Sequence, residues 1–226
     1  MPNTLILGNR CYSSWSIRVW LLTRRFNLPV DAHFIDFDDG EVSDLVAQHR
    51  PARSVPILIT DEGHAIAESL AIAEEFASRF PEAGLWPEDR GERATARFLC
   101  AEMVCGFHAL REACPVNLRV AYSGFTPDAA VRADLRRIQE LWAAAWARHG
   151  TKAPWLCGRY SIVDAFYAPI ALRIATYALP VDPAAADYVA AHLSDPALVA
   201  CRQEGLEKEG PLTRYIKDLP ERPWPG

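Results

Sequence analysis

After residue 80 this chain changes from one kind of polymer into another. Upstream, short apolar runs alternate with helical stretches. From Glu92 onward the sequence is alanine-rich and keeps a helical period almost to its end. Thr4 to Gly8 reads as a buried strand, because it is a brief apolar run bounded by polar residues. Ser14 to Phe26 reads as a helix with apolar residues at 15, 17, 19, 21 and 22 and arginines elsewhere. Val30 to Phe37 reads as a second strand closed by Asp38-Asp39-Gly40, Glu41 to His49 as a short helix and Val55 to Thr60 as a third strand. Asp61-Glu62-Gly63 is a hairpin turn into a brief strand at Ala65-Ile66, and Ser69 to Phe80 is a helix stopped by Pro81. The order βαβ then ββα within 80 residues predicts a thioredoxin-like unit, part parallel and part antiparallel.

The fold class predicted is therefore α/β followed by all-α. Residues 1–80 form the thioredoxin-like domain, 81–91 a linker containing Leu85-Trp86-Pro87, and 92–226 an all-helical domain. Five helices fit the second part, broken at Gly124 to Pro127, Gly150 to Arg159, Leu179 to Pro183 and Ser194 to Pro196. Arg93 to Val120 and Asp128 to His149 are the longest and are expected to pack antiparallel, with Pro115 kinking the first. Ser161 and Asp164 have the spacing of a capping box, and Pro211 to Gly226 reads as an extended tail.

At 226 residues, half of them hydrophobic, the chain has material for two cores. A net charge of -5 argues against a nucleic-acid partner or an anionic membrane surface. No apolar run approaches the roughly 20 residues of a membrane span, and no secretory leader is legible, so a soluble cytoplasmic protein is expected. Cysteines at 11, 100, 105, 114, 157 and 201 show no paired spacing, and the six histidines no ligand spacing. Reduced, mostly buried thiols and no metal are expected.

Three islands in the first third carry chemistry. Cys11-Tyr12-Ser13-Ser14-Trp15-Ser16 puts hydroxyls at a helix start, where free amides and the positive dipole end favour an anion. Lowering a thiol's pKa by about two units from about 8.5 takes roughly 2.7 kcal/mol, within reach of one charge-assisted hydrogen bond plus the dipole. Ser54-Val55-Pro56-Ile57 would, with a cis proline, present the Val55 amide and carbonyl for pairing with an extended peptide. Glu68-Ser69 offers an acceptor for an ammonium and donors for a carboxylate. Taken singly, each also reads as an ordinary structural device: a capping serine at 13 or 14, a trans proline at a strand start, and a solvated glutamate before an N-cap serine at 69.

Read in order, Tyr12-Ser13-Ser14-Trp15-Ser16, Arg50-Pro51-Ala52-Arg53-Ser54-Val55-Pro56, Glu68-Ser69-Leu70-Ala71-Ile72 and Ser161-Ile162-Val163-Asp164 resemble the cytosolic glutathione transferases across essentially the whole chain. The serine string is most similar to the serine-type, zeta-like and theta-like branch, here as a bacterial member. The resemblance implies that Ser13 holds the glutathione thiolate, with Ser14 and Trp15 beside it. It implies Val55 as backbone partner before cis Pro56, and Glu68 with Ser69 as the grip on the γ-glutamyl group. Trp15 stands where zeta-like members often carry cysteine. Ser54 stands where a lysine or another long polar residue is common, a contact that Arg53 could supply. Cys11 could form a mixed disulfide if exposed.

The activity implied is addition of glutathione, bound as co-substrate, to a small electrophile, by a cytoplasmic homodimer serving detoxification. A glutathione-dependent disulfide or peroxide reductase, a cis-trans isomerase and a non-catalytic interaction module on the same fold are the alternatives. The electrophile is expected between the first domain and the long helix 93–120, against Met103, Phe107, His108, Arg111 and Asn117; residues 103, 107 and 111 share a helical face. A positive charge at Arg111 would favour an anionic or carbonyl-bearing electrophile.

Overall fold

The computed structural model of the protein describes residues 3–149 and 154–226. Strand β1 (Asn3–Leu7) lies inside a four-stranded sheet of order β2-β1-β3-β4. It runs parallel to β2 (Val30–Phe34), with Leu5 opposite Ala32, and antiparallel to β3 (Ile57–Ile59), with Leu5 opposite Leu58. Strand β4 (Ala65–Ala67) pairs antiparallel with β3 at the edge. Helix α1 (Ser14–Arg25) follows β1, the four-residue α2 (Val42–Leu45) follows β2, and α3 (Ser69–Arg79) follows β4. The thioredoxin-like arrangement expected from the element order is the one observed.

The helical part opens with α4 (Arg90–Cys105), capped by the Asp89 carboxylate on the amides of Gly91 and Glu92. Here the structure corrects the single helix expected over 93–120. The helix ends at Cys105, Gly106 is extended, and Phe107 adopts a left-handed φ of 58° before the short α5 (His108–Ala113). A Cβ on Gly106 would stand 2.8 Å from the Glu102 carbonyl oxygen, so only glycine lets the chain turn back there. Phe107 is held in its uncommon conformation by burial of its ring near Tyr167. Pro115 therefore follows a finished helix instead of kinking one; the residue before a proline disfavours helical backbone, and α5 ends before Cys114.

Helices α6 (Ala129–His149), α7 (Ile162–Thr176), α8 (Pro183–Leu193) and α9 (Pro196–Lys208) complete six among the described residues of this part, one more than expected. Residues 150–153 of the expected break at Gly150 to Arg159 lie outside the described residues. The tail is not simply extended: it forms a 3-10 turn at Thr213–Tyr215, then β6 (Glu221–Arg222) pairs with β5 (Ala121–Tyr122).

Every residue of α7 is buried, and its start is secured by the expected capping box. Asp164 Oδ2 accepts from the Ser161 amide at 2.9 Å, while Oδ1 accepts from the Leu156 amide and the Tyr188 hydroxyl, each at 3.0 Å. Burial raises this carboxyl to about 6 against those hydrogen bonds, which favour the ionised form. Trp155, Tyr160, Tyr188 and His192 form an aromatic cluster above it, with His192 to Tyr188 at 4.5 Å between ring centroids.

The two parts meet chiefly where α1 packs on α7. Three backbone and side-chain ties flank that contact. The Leu118 amide donates to the Cys11 carbonyl at 3.0 Å, the Leu212 amide to the Tyr12 hydroxyl at 3.1 Å, and Arg10 Nη1 to Glu209 at 2.8 Å.

His192 is buried with no partner to its Nε2 among the described residues, and desolvation pulls its pKa down to about 3. Since that lies below the unfolded value of about 6.5, its contribution is present above pH 6.5 and is lost as pH falls toward 3. Asp164, raised in the fold, acts oppositely: its contribution is present below the unfolded value and is lost as pH rises through about 6. The wild-type advantage over His192→Leu, measured by urea unfolding from pH 7 to pH 4, is therefore expected to shrink steadily. A gap that does not change with pH would contradict the neutral buried imidazole.

Candidate active site

The junction of β1 and α1 builds the floor of a cleft. Ser13 is the N-cap of α1: its Oγ accepts from the Ser16 amide at 3.4 Å and donates to Ser16 Oγ at 2.9 Å. Ser16 Oγ in turn accepts from the Gly8 amide at 2.9 Å, so the two hydroxyls tie the helix start to the end of β1. Ser14 follows half-buried, with no hydrogen bond to its hydroxyl among the described residues. Gly8 is required here, because a Cβ would stand 2.4 Å from the ring of Phe37 and 2.8 Å from Val55.

A cavity of about 340 Å³ opens over this junction. Ser13, Ser14 and Trp15 form one side, Ser54 and Val55 a second, and Arg111 with Arg173 a third. The tail supplies a cover: Tyr215 stacks on Tyr12 at 4.8 Å between centroids, and Arg214 donates to the Phe37 carbonyl. The Val55–Pro56 peptide is cis, and the Val55 backbone amide and carbonyl have no hydrogen-bond partner among the described residues.

Arginines dominate the electrostatics. Arg173, buried in α7, donates Nε to the Cys114 carbonyl at 2.8 Å and Nη1 to the Pro169 carbonyl at 3.0 Å. Arg111 donates Nη1 to the carbonyls of Val104 and Gly106. Arg111 and Arg18 both pack on the Trp15 ring, with guanidinium carbons 4.6 and 4.1 Å from its centroid. None of the three pairs with a carboxylate among the described residues; their donors go to carbonyls, a hydroxyl and the indole face. Burial lowers Arg18 to about 9 and Arg173 to about 10, with Arg111 adding repulsion to both. All three stay charged at neutral pH, so the cleft is locally positive in a chain of net charge -5.

At the start of α3, Glu68 adopts a φ of 83° and is itself the N-cap, correcting the expectation of Ser69 in that role. Its Oε2 accepts from the Leu70 amide at 2.9 Å and its Oε1 from the Ser69 hydroxyl at 3.1 Å. A glutamate in left-handed backbone is strained, and such strain clusters at ligand clamps.

Comparison with known proteins bears on what this cleft is. Residues 12–79 match the glutathione S-transferase N-terminal domain. Among curated relatives, maleylacetoacetate isomerase of Dictyostelium discoideum is 32% identical over 116 residues, covering 51% of this chain and 52% of that protein. Probable maleylacetoacetate isomerase of Caenorhabditis elegans is 31% identical over 111 residues, covering 49% of this chain and 48% of that protein. The matched region thus spans about half the length of these curated relatives. A Burkholderia glutathione transferase homologue with bound glutathione superposes with a TM-score of 0.68 at 22% identity, over 92% of this chain and 100% of that one. A diazinon-metabolizing glutathione S-transferase of the silkworm Bombyx mori gives 0.69 at 17% identity, over 92% and 99%. The fold is the glutathione transferase fold, with a thioredoxin-like sheet followed by a helical region.

Within that fold, the sequence-expected residues divide. Ser13, Ser14, Trp15, Val55 and Arg111 share the cavity wall, whereas Pro56 is buried behind it and Arg53 is exposed away from it. Glu68 and Ser69 stand outside the lining and connect to Trp15 only through Arg18. The break at Gly106 removes the face that 103, 107 and 111 were expected to share. Met103 and Phe107 are core residues, His108 is exposed, and Asn117 is buried with its amide directed at the Tyr122 hydroxyl. Arg18, Arg173, Arg214 and Tyr215 were not singled out from the sequence. For Arg173 a signal existed, since it and Asp164 are the charged residues of the otherwise apolar run IVDAFYAPIALRIAT.

Cys11 turns away from the cleft. It is fully buried, its thiol is pushed up to about 11 by desolvation, and a Cβ on Gly205 of α9 would stand 2.7 Å from its sulfur. This removes the expected route to a mixed disulfide at that residue, since the thiolate is the nucleophile. Of the six cysteines only Cys105 is exposed. One thiol per chain is accordingly expected to react with an aromatic disulfide reagent under native conditions, and none in Cys105→Ser. Rapid labelling of Cys11 in that variant, located by mass spectrometry, would contradict the geometry.

Proposed function

We propose that the protein binds glutathione in this cleft, keeps its sulfur ionised and adds it to a small electrophile, as a glutathione transferase. The observation carrying this reading is the convergence on one cavity of the α1 start at Ser13, the unpaired Val55 backbone before cis Pro56, and a wall of uncompensated positive charge. In this reading the cysteinyl backbone pairs with Val55, the glutamyl ammonium meets Glu68, and its carboxylate meets Ser69 and the amides opening α3. Ser13 donates to the thiolate by turning its hydroxyl from Ser16, aided by the dipole of α1. Ser14, whose hydroxyl is uncommitted, is the competitor for that role.

The chemistry needs no covalent protein intermediate; rate comes from thiolate fraction and positioning. The same reading places glutathione as co-substrate, no metal, a homodimer, a cytoplasmic site of action and a serine-type, detoxifying enzyme divided at residues 81–91. It is supported by the match of residues 12–79 and by the fold.

A second reading is favoured by the names of the two curated relatives and by the charge of the cavity wall. Glutathione thiolate would add to a conjugated cis double bond, the resulting single bond would rotate, and elimination would return the thiolate and the trans product. Arg111 and Arg173 suit a carboxylate on such a substrate.

Ultraviolet absorbance of bound glutathione distinguishes the serines. In the variant lacking the true partner, Ser13→Ala on this reading, the thiol pKa is expected to rise by about 1 to 2 units, about 1.4 kcal/mol each, with Ser14→Ala little changed. No calorimetric heat with glutathione in the wild type would end the proposal and leave an interaction module.

Substrate chemistry separates the two readings. With a cis enone bearing a carboxylate, a transferase consumes glutathione in step with product, whereas an isomerase does not. In either case Arg111→Gln is expected to raise KM for the carboxylate substrate about tenfold relative to a neutral aryl halide. Equal effects on both would deny Arg111 a carboxylate contact.

A further inference from the structure

Tyr12 holds the C-terminal tail at two points. Its hydroxyl accepts from the Leu212 amide at 3.1 Å, and its ring stacks on Tyr215 at 4.8 Å between centroids. Arg214 lies between those anchors, so an exposed side chain springs from held backbone and enters the cavity wall beside Phe37, Val42, Ser54 and Val55. Of the three arginines in that wall it is the least committed. Arg111 and Arg173 each donate to two carbonyls, whereas Arg214 donates to the Phe37 carbonyl alone, at 3.4 Å. Its guanidinium carbon stands 5.5 Å from the rings of both Phe37 and Tyr215. Asp36, Asp38 and Asp39 flank Phe37 in the chain, yet Arg214 forms no ion pair with a carboxylate among the described residues.

The sheet register indicates what such a charge faces. Leu7 pairs with Phe34, Ile6 with Ile57, and Ile57 with Ala67, so the ends of β1, β2 and β4 and the start of β3 lie along one edge. In the strand order β2-β1-β3-β4, the residues just past that edge run Phe37, Gly8, Val55, Glu68. A Cβ on Gly8 would stand 2.4 Å from the Phe37 ring and 2.8 Å from the Val55 side chain, so those two side chains gather above Gly8. A peptide paired with the Val55 backbone, its glutamyl ammonium at Glu68, therefore runs its other end toward Phe37. Strands lie about 4.8 Å apart, which separates Glu68 from Phe37 by roughly 14 Å. Three extended residues span about 10 Å, and the γ-linkage and the length of an arginine side chain cover the remainder. The terminal carboxylate then arrives where Ser54 is too short to bring a charge and Arg53 is exposed outside the cavity wall. Arg214 is the cation at that place.

We propose that Arg214 binds the glycyl carboxylate of glutathione, so that the C-terminal tail reads the end of the thiol peptide. The inference rests on the glutathione reading of the cleft and deepens it. It makes the tail a specificity element, favouring the tripeptide over γ-glutamylcysteine or over a peptide whose terminal carboxylate is blocked. A guanidinium suits the task because its planar fork can take both carboxylate oxygens. Two other roles compete: fastening the tail through the Phe37 carbonyl, and attracting an acidic electrophile into the same cavity.

Calorimetry on the full chain compares glutathione with its glycyl ethyl ester, whose terminal charge is removed, in wild type, Arg214→Gln and Arg214→Lys. In the wild type the ester is expected to bind about tenfold more weakly than glutathione. Arg214→Gln is expected to weaken glutathione about tenfold and to leave the ester within about twofold of its wild-type affinity, because variant and ester remove the same contact. Arg214→Lys is expected to recover part of the loss.

An equal loss of both ligands in Arg214→Gln would overturn the proposal in favour of a fastening role. Unchanged affinity for glutathione in that variant would overturn it in favour of a role toward the electrophile. Equal wild-type affinity for acid and ester would overturn it without any variant. A wild type silent to both ligands would overturn the glutathione reading itself, a result distinct from each of the others.

Discussion

The packing of α1 on α7 is the contact from which the site follows. Helix α1 starts at the end of β1 and is tied there by Ser13 and Ser16, so its first turn cannot move independently of the sheet. Its flank lies against α7, which is buried along its whole length and anchored at its start by Asp164. A helix fixed at its start by the sheet and along its side by the helical part sets the cleft between them to a defined width. Arg173 from α7 and Trp15 from α1 then face one cavity because their parent helices are docked.

That docking also explains where charge sits. A guanidinium at the junction of two apolar surfaces is expensive, yet Arg18 and Arg173 are both buried and remain charged at neutral pH. Arg173 is tolerated because the Cys114 carbonyl at the end of α5 and the Pro169 carbonyl within α7 accept its donors. Arg18 is tolerated with far fewer partners, and the indole of Trp15 takes part of that role through its π face. An anion entering the cleft would meet a positive field in an otherwise acidic molecule, which favours an anionic ligand by attraction over a cationic one.

The tail adds the last wall. Hydrogen bonds to the hydroxyls of Tyr12 and Tyr122, and the pairing of β6 with β5, bring Thr213–Tyr215 back over the loops of the thioredoxin-like part. The residues covering the cleft thus come from a segment some 200 positions away from Ser13 in the chain. Such a cover depends on the whole helical part being in place.

Local chemistry was legible in the amino acids alone. The strand and helix order of the first 80 residues, the capping box at Ser161 and Asp164, the hydroxyls at the start of α1 and the Glu68-Ser69 pair are all short-range patterns set by period, propensity and capping. What the pattern could not convey was the break at Gly106, where one close approach to the Glu102 carbonyl and the burial of Phe107 outweigh a helical period running through both. For the same reason the face shared by 103, 107 and 111 existed only on paper. The burial of Arg18, which shares a helix with solvent-facing arginines at 24 and 25, and the joining of Arg111, Arg173 and the tail around Trp15 were decided by tertiary structure. Sequence period tells which residues can share a face of one element; which faces are brought together, and which charges are thereby taken out of water, depends on the docking of elements far apart in the chain.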